Sequence, residues 1–104
     1  MQLQDRKAEL INAARALLDG RVHWLEAVRK IRDLSIYMEN PDDADFQKIR
    51  AIESQTDNFP VGAVRQEFAD DYLRRLDVEL QEYYELEKND LFAACHRIVT
   101  QLGD

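Results

Sequence analysis

The sequence predicts an all-α fold, a four- to five-helix antiparallel bundle with a long C-terminal helix, and three observations carry that prediction. Apolar residues recur at three- and four-residue steps through most of the chain, the period of a helix with one buried face. Only three Gly and two Pro interrupt it. No stretch alternates apolar and polar residues as a half-buried strand does. At 104 residues the chain has the size for one hydrophobic core, so residues 1–104 form a single helical domain.

The first helix is expected to start at Asp5 as N-cap and to place Leu10, Ile11, Ala14, Leu17 and Leu18 on one side until Gly20 stops it. After the turn Asp19-Gly20-Arg21, residues Leu25, Val28, Ile31 and Leu34 repeat the spacing, with Arg29, Lys30 and Arg32 on other faces. This second helix is expected to end near Met38. Glu39-Asn40-Pro41-Asp42-Asp43 then joins a turn dipeptide to an acidic helix start. Phe46, Ile49 and Ile52 mark a short third helix, and Thr56-Asp57-Asn58-Phe59-Pro60-Val61-Gly62 concentrates turn formers where the chain must bend.

From about Ala63 to Leu102 there is neither Gly nor Pro. Phe68, Leu73, Leu76, Leu80, Tyr83, Leu91, Ala94, Cys95, Ile98 and Leu102 keep the helical stepping with one lapse near Glu87. One long helix or two abutting helices satisfy this pattern, with Asp70 or Asp71 as a second start and Asn89-Asp90 as a kink.

The formal charge of −7 is uneven, because residues 1–38 hold seven basic and five acidic side chains while the remainder is acid-rich. Phosphate backbones repel such a surface, and no Lys/Arg stripe with interleaved aromatics appears, so nucleic acid is not an expected partner. A basic protein is. The N-terminus Met1-Gln2-Leu3-Gln4-Asp5-Arg6-Lys7 lacks the apolar core of a signal peptide, and no uninterrupted apolar run matches a bilayer. Cys95 is the only cysteine, which excludes an intramolecular disulfide. These features predict a cytoplasmic protein that is not embedded in a membrane.

The chain has no Gly-rich phosphate loop, nucleophile elbow, paired CxxC or HExxH. Neither an enzyme nor a cofactor is expected. Carboxylates crowd Glu79, Glu82, Glu85, Glu87 and Asp90, and helical spacing puts Glu79 with Glu82 and Glu82 with Glu85 on neighbouring turns. A di-iron bundle needs Glu-x-x-His pairs pointing inward, and neither His23 nor His96 follows a Glu at that spacing, so the carboxylates read as a solvated acidic face and not as a metal centre. Cys95 and His96, adjacent on a helix, point about 100° apart and make no nucleophile–base pair. Cys95 shares the apolar stripe of Leu91 and Ile98 and reads as core. His23, at a helix start, reads as a surface or capping group.

The segment Ile52 to Arg65 holds the densest local chemistry. Thr56 or Asp57 is placed to bond the amides that open the turn, and Arg65 to reach back to Glu53 or Asp57, which makes Glu53, Thr56, Asp57 and Arg65 a structural loop staple in preference to a ligand site.

Ile52-Glu53-Ser54-Gln55-Thr56-Asp57, followed by Pro60-Val61-Gly62 and Arg65, resembles a pattern in small uncharacterised bacterial helical proteins, where an Ile-Asp-Ser-Glu-Thr-Asp-like stretch precedes a Pro-x-Gly turn and an Arg before a long acidic helix. The likeness extends over about half the chain, and Glu53 and Gln55 depart from it. It implies an accessory or immunity-type protein, the latter neutralising a cognate toxin. On that basis the chain is expected to be a protein-binding module whose acidic Glu79, Glu82 and Glu85 meet a basic partner. The alternatives are a structural homodimer paired through Leu80, Tyr83, Tyr84 and Leu91, and a carboxylate-based metal or ligand sensor.

Overall fold

The computed structural model describes residues 3–103; Met1 and Gln2 of the polar N-terminal stretch lie outside the described residues. The chain is an all-α bundle. Helix α1 spans Leu3–Asp19, α2 Trp24–Ser35, α3 Ala44–Gln55 and α4 Asp70–Gly103, with a short 3-10 helix at Gly62–Glu67. No strand forms among the described residues. Helix α1 packs against α2 and α4, and α3 packs against the same two, so the four helices close a ring.

Each end of these elements has a local cause. Asp5 is not the cap of α1 but lies in its first turn, where a carboxylate favours the positive end of the helix dipole. Gly20 ends α1 with φ +71°, a backbone region open to glycine at little cost. Its N–H reaches the Leu17 carbonyl at 3.2 Å while the Arg21 N–H reaches Ala16 at 2.9 Å, the paired bonds that satisfy a helix's last carbonyls. His23 caps α2 by accepting the Leu25 N–H on Nδ1 at 3.1 Å. Helix α2 ends at Ser35, short of Met38, because Tyr37 and Met38 turn their N–H groups back to Leu34 and Ser35 ahead of Pro41. Asp43 caps α3, its Oδ1 accepting the Asp45 N–H at 2.9 Å.

The long C-terminal helix starts later than the missing Gly and Pro imply. Residues 62–67 tighten into the 3-10 turn, Phe68 is extended, and α4 begins at Asp70. Val64 and Phe68 are weak helix formers, whereas consecutive carboxylates at Asp70 and Asp71 favour a helix start. Phe68 therefore leaves the apolar stripe and stands 38% exposed. Asn89 and Asp90 lie inside one unbroken helix of 34 residues. Their propensity penalty, roughly 0.7 kcal/mol each at most, is too small to break a helix anchored by Leu91, Cys95 and Ile98.

The core joins Leu10, Ala14 and Leu17 of α1, Leu25, Val28 and Ile31 of α2, Phe46, Ile49 and Ile52 of α3, and Leu80, Leu91, Cys95 and Ile98 of α4. At 1.5 Å per residue α4 is about 50 Å long. It exceeds even the longest dimension of the 44 × 29 × 23 Å body, so it lies oblique to that axis or curves. The other helices, of 17, 12 and 12 residues, are too short to accompany it throughout. From Asp70 to Arg75 every α4 residue except Leu73 is exposed.

Candidate functional site

The N-terminal half of α4 and the turn before it expose apolar and acidic side chains together. Nine large hydrophobic residues stand exposed among the described residues, and five belong to this region: Val64, Phe68, Tyr72, Val78 and Leu86. Leu86, at 84%, is the most exposed of the nine. Phe68 stacks on Tyr72 with ring centroids 5.7 Å apart, and the Arg75 guanidinium lies 5.9 Å from the Tyr72 ring. Helical geometry sets Val78, Glu82 and Leu86 at successive four-residue steps on one face.

The predicted acidic residues interleave with this row. Glu79, Glu82 and Glu85 are all exposed, so the helix presents carboxylates beside bare aliphatic groups. Glu85 accepts a hydrogen bond from Lys88, a 2.6 Å ion pair that holds its carboxyl below the usual range, and a second bond from Gln81 at 2.9 Å. Glu87 leaves the group: it pairs with Lys48 of α3 at 2.7 Å. Among the described residues no three metal-capable side chains converge.

The bonds around the loop are not those expected of the staple. Arg65 does not reach back to Glu53 or Asp57; it grips Asp77 of α4 with two parallel bonds of 2.9 and 2.8 Å and donates to the Pro60 carbonyl at 3.3 Å. The Asp77 carboxyl is held below its ordinary range by this hydrogen bonding. Glu53 instead faces Arg32 at 3.9 Å. The Thr56 hydroxyl donates backwards to the Ile52 carbonyl at 2.7 Å rather than receiving turn amides, and Asp57 is exposed. The group that closes the loop is Arg29 on α2, whose Nη2 donates to the carbonyls of Thr56 at 2.9 Å and Phe59 at 2.6 Å. Spacing along the sequence gives no signal for that contact, since the partners are 27 and 30 residues away.

Burial also corrects the proposed dimer seam. Leu80 and Leu91 lie inside the core of one chain, 5% and 0% exposed, and Tyr83 and Tyr84 are half-buried against it. Tyr84 stacks on Trp24 at 4.9 Å, and Tyr83 donates to the Gln55 side chain. Leu80 and Leu91 are therefore not free to pair two copies. Cys95 is fully buried and His96 exposed. Burial, reinforced by the charge of Asp45, pushes the Cys95 thiol up to about 12, which holds it neutral and unreactive. No helix among the described residues is long and apolar enough to cross a membrane.

No family model, no curated protein and no solved structure matches this chain.

Proposed function

We propose that the chain is a protein-binding module whose partner is a basic protein with an apolar contact patch, seated on the outward face of α4 between Tyr72 and Leu86. Neutralisation of a cognate toxin is its most concrete form. The observation that carries this reading is the exposure of Tyr72, Val78 and Leu86 on one stretch of α4, with Val64 and Phe68 just before it, where Val78 and Leu86 flank Glu79, Glu82 and Glu85. Apolar area supplies the affinity of such a contact, and carboxylates supply steering and selectivity for a basic surface. A net charge of −7 acts in the same direction at longer range.

A second copy of the chain is the weaker occupant of this face. Antiparallel pairing about Glu82 sets Val78 opposite Leu86, but it also sets Glu79 opposite Glu85 and Glu82 opposite itself. Like charges so placed oppose association.

The test is capture by the tagged chain from its source cells at low salt, run beside Leu86→Asp and the double variant Glu82→Lys, Glu85→Lys. A stoichiometric basic protein retained by the parent, released by high salt and lost from both variants supports the reading. Retention by both variants removes this face from the interface. A dimeric mass with nothing attached favours the second copy.

A further inference from the structure

We infer that the cavity at the open end of the bundle binds a small zwitterion with an apolar side chain, of the class of free leucine or phenylalanine. The cavity, of about 310 Å³, lies where the start of α1, the corner between α2 and α3, and the last turns of α4 meet. That volume falls at the lower end of ligand pockets, about 300–1,000 Å³, and restricts the occupant to a small molecule. Its floor is apolar: Met38, Phe46 and Ile98, each under a tenth exposed. Its rim is charged with both signs on different elements, Lys7 on α1 and Glu39 and Asp43 on the corner.

These three charges share one mouth without neutralising each other. Among the described residues no ion pair contains Lys7, Glu39 or Asp43. Asp43 spends one oxygen on the Asp45 amide as the α3 cap, and its charge is also felt by Arg97 of α4, which leaves Glu39 as the less committed carboxylate of the rim. A separated cation and carboxylates above an apolar floor match a molecule that carries a carboxylate, an ammonium and a hydrocarbon group on one carbon. Lys7 takes the carboxylate, with Gln4 and Gln101 on the rim as further donors. Glu39 and Asp43 take the ammonium. The side chain enters against Phe46.

This site is remote from the α4 face, and its failure leaves the protein-binding reading intact. The test is a titration of isotope-labelled protein with L-leucine, L-phenylalanine, 4-methylpentanoate and 3-methylbutylamine, followed by backbone amide shifts of residues 38–46. Expected is saturation by an amino acid in the millimolar range or below, with both singly charged analogues at least about tenfold weaker. Lys7→Gln should weaken the amino acids and the acid but not the amine, and Glu39→Gln should weaken the amino acids and the amine but not the acid. Glu39 is exposed and Lys7 half-buried on α1, and both variants should retain the helical spectrum of the parent. Saturation by neither amino acid, or binding of either analogue as tight as theirs, overturns the proposal.

Discussion

Arg97 of α4 holds Asp45 of α3 with two nitrogens on one carboxylate oxygen, Nε at 2.9 Å and Nη2 at 2.8 Å. The pair is lopsided: the Asp45 side chain is 9% exposed and that of Arg97 58%. Hydrogen bonding to Asp45 raises the Arg97 pKa further, so the guanidinium stays charged at every working pH. Loss of the arginine strands a buried carboxylate, whereas loss of the carboxylate returns the arginine to water. Urea denaturation should therefore rank Arg97→Leu below Asp45→Asn, with the double variant recovering part of the loss. Equal, additive losses would show that the two side chains are uncoupled.

Arg29 is the corresponding clamp between α2 and the loop after α3. Arg29→Met keeps the aliphatic stem but removes the guanidinium bond to the Phe59 carbonyl and leaves the Thr56 carbonyl with only the Phe59 N–H. Charged hydrogen bonds of this kind are worth about 1.5–3 kcal/mol. The global stability should fall by about that amount, and amides of residues 56–62 should exchange faster than those of α1. A variant as stable as the parent would mean that water replaces the guanidinium at no cost.

The Arg65–Asp77 pair should act locally. Asp77 has its folded-state pKa depressed by Arg65, so whatever stability it contributes is present above the ordinary carboxylate value, about 3.9, and is lost as pH falls through the lower folded value. The side chains are 34% and 49% exposed, and solvent screening keeps the contribution small. Asp77→Asn should shift global stability by no more than about 0.5 kcal/mol. It should also accelerate hydrogen exchange across Gly62–Glu67 and flatten the acid limb below pH 4. Unchanged exchange there would show that the turn is held by something other than this pair.

These three arginines mark the boundary of what could be read from the sequence. The helices α1 to α3 were legible because Leu10 to Leu17, Leu25 to Ile31 and Phe46 to Ile52 repeat at helical spacing, and because Gly20 and Asp43 punctuate them where backbone chemistry requires. The start of α4 was legible only as one of two options: Asp70 or Asp71 offered a start, where the helix does begin, but residues 63–69 contain no breaker to exclude an earlier one. Arg65 has Asp57 closer in sequence and Glu53 equally far, yet pairs with Asp77, because the 3-10 turn lays the chain back along α4. The acidic residues of α4 were visible as composition. The exposure of Leu86 and Val78 beside them was not, because it depends on where the shorter helices end.

Leu86 gives the proposed interface its clearest solution test. At 84% exposure it contributes almost nothing to the core, so Leu86→Asp should leave stability within about 0.5 kcal/mol of the parent. If it anchors a partner, the same change should weaken binding at least tenfold, about 1.4 kcal/mol, chiefly through faster dissociation. Reversal at Glu82 and Glu85 should act mainly on the association rate and flatten its salt dependence. Calorimetry and stopped-flow on the captured complex separate the two effects, and a salt dependence identical to that of the parent would remove the carboxylates from the encounter.

Cys95 provides a probe of the whole fold. Its thiol is pushed up to about 12, against about 8.5 in an unfolded chain, because burial beside Leu91 and Ile98 disfavours the thiolate and Asp45 adds to the effect. Below the unfolded value both states keep the proton and pH does not act through this group. Between the two values the unfolded chain ionises and the native state does not, so rising pH favours unfolding by up to about 1.4 kcal/mol per pH unit. Urea midpoints should decline across that window in the parent and more gently in Cys95→Ala, which is less stable at neutral pH because it leaves a small void. Ellman's reagent at pH 8 should react only as fast as the chain opens and become fast in urea. Immediate stoichiometric labelling of the native protein would show that the packing of α4 does not bury Cys95.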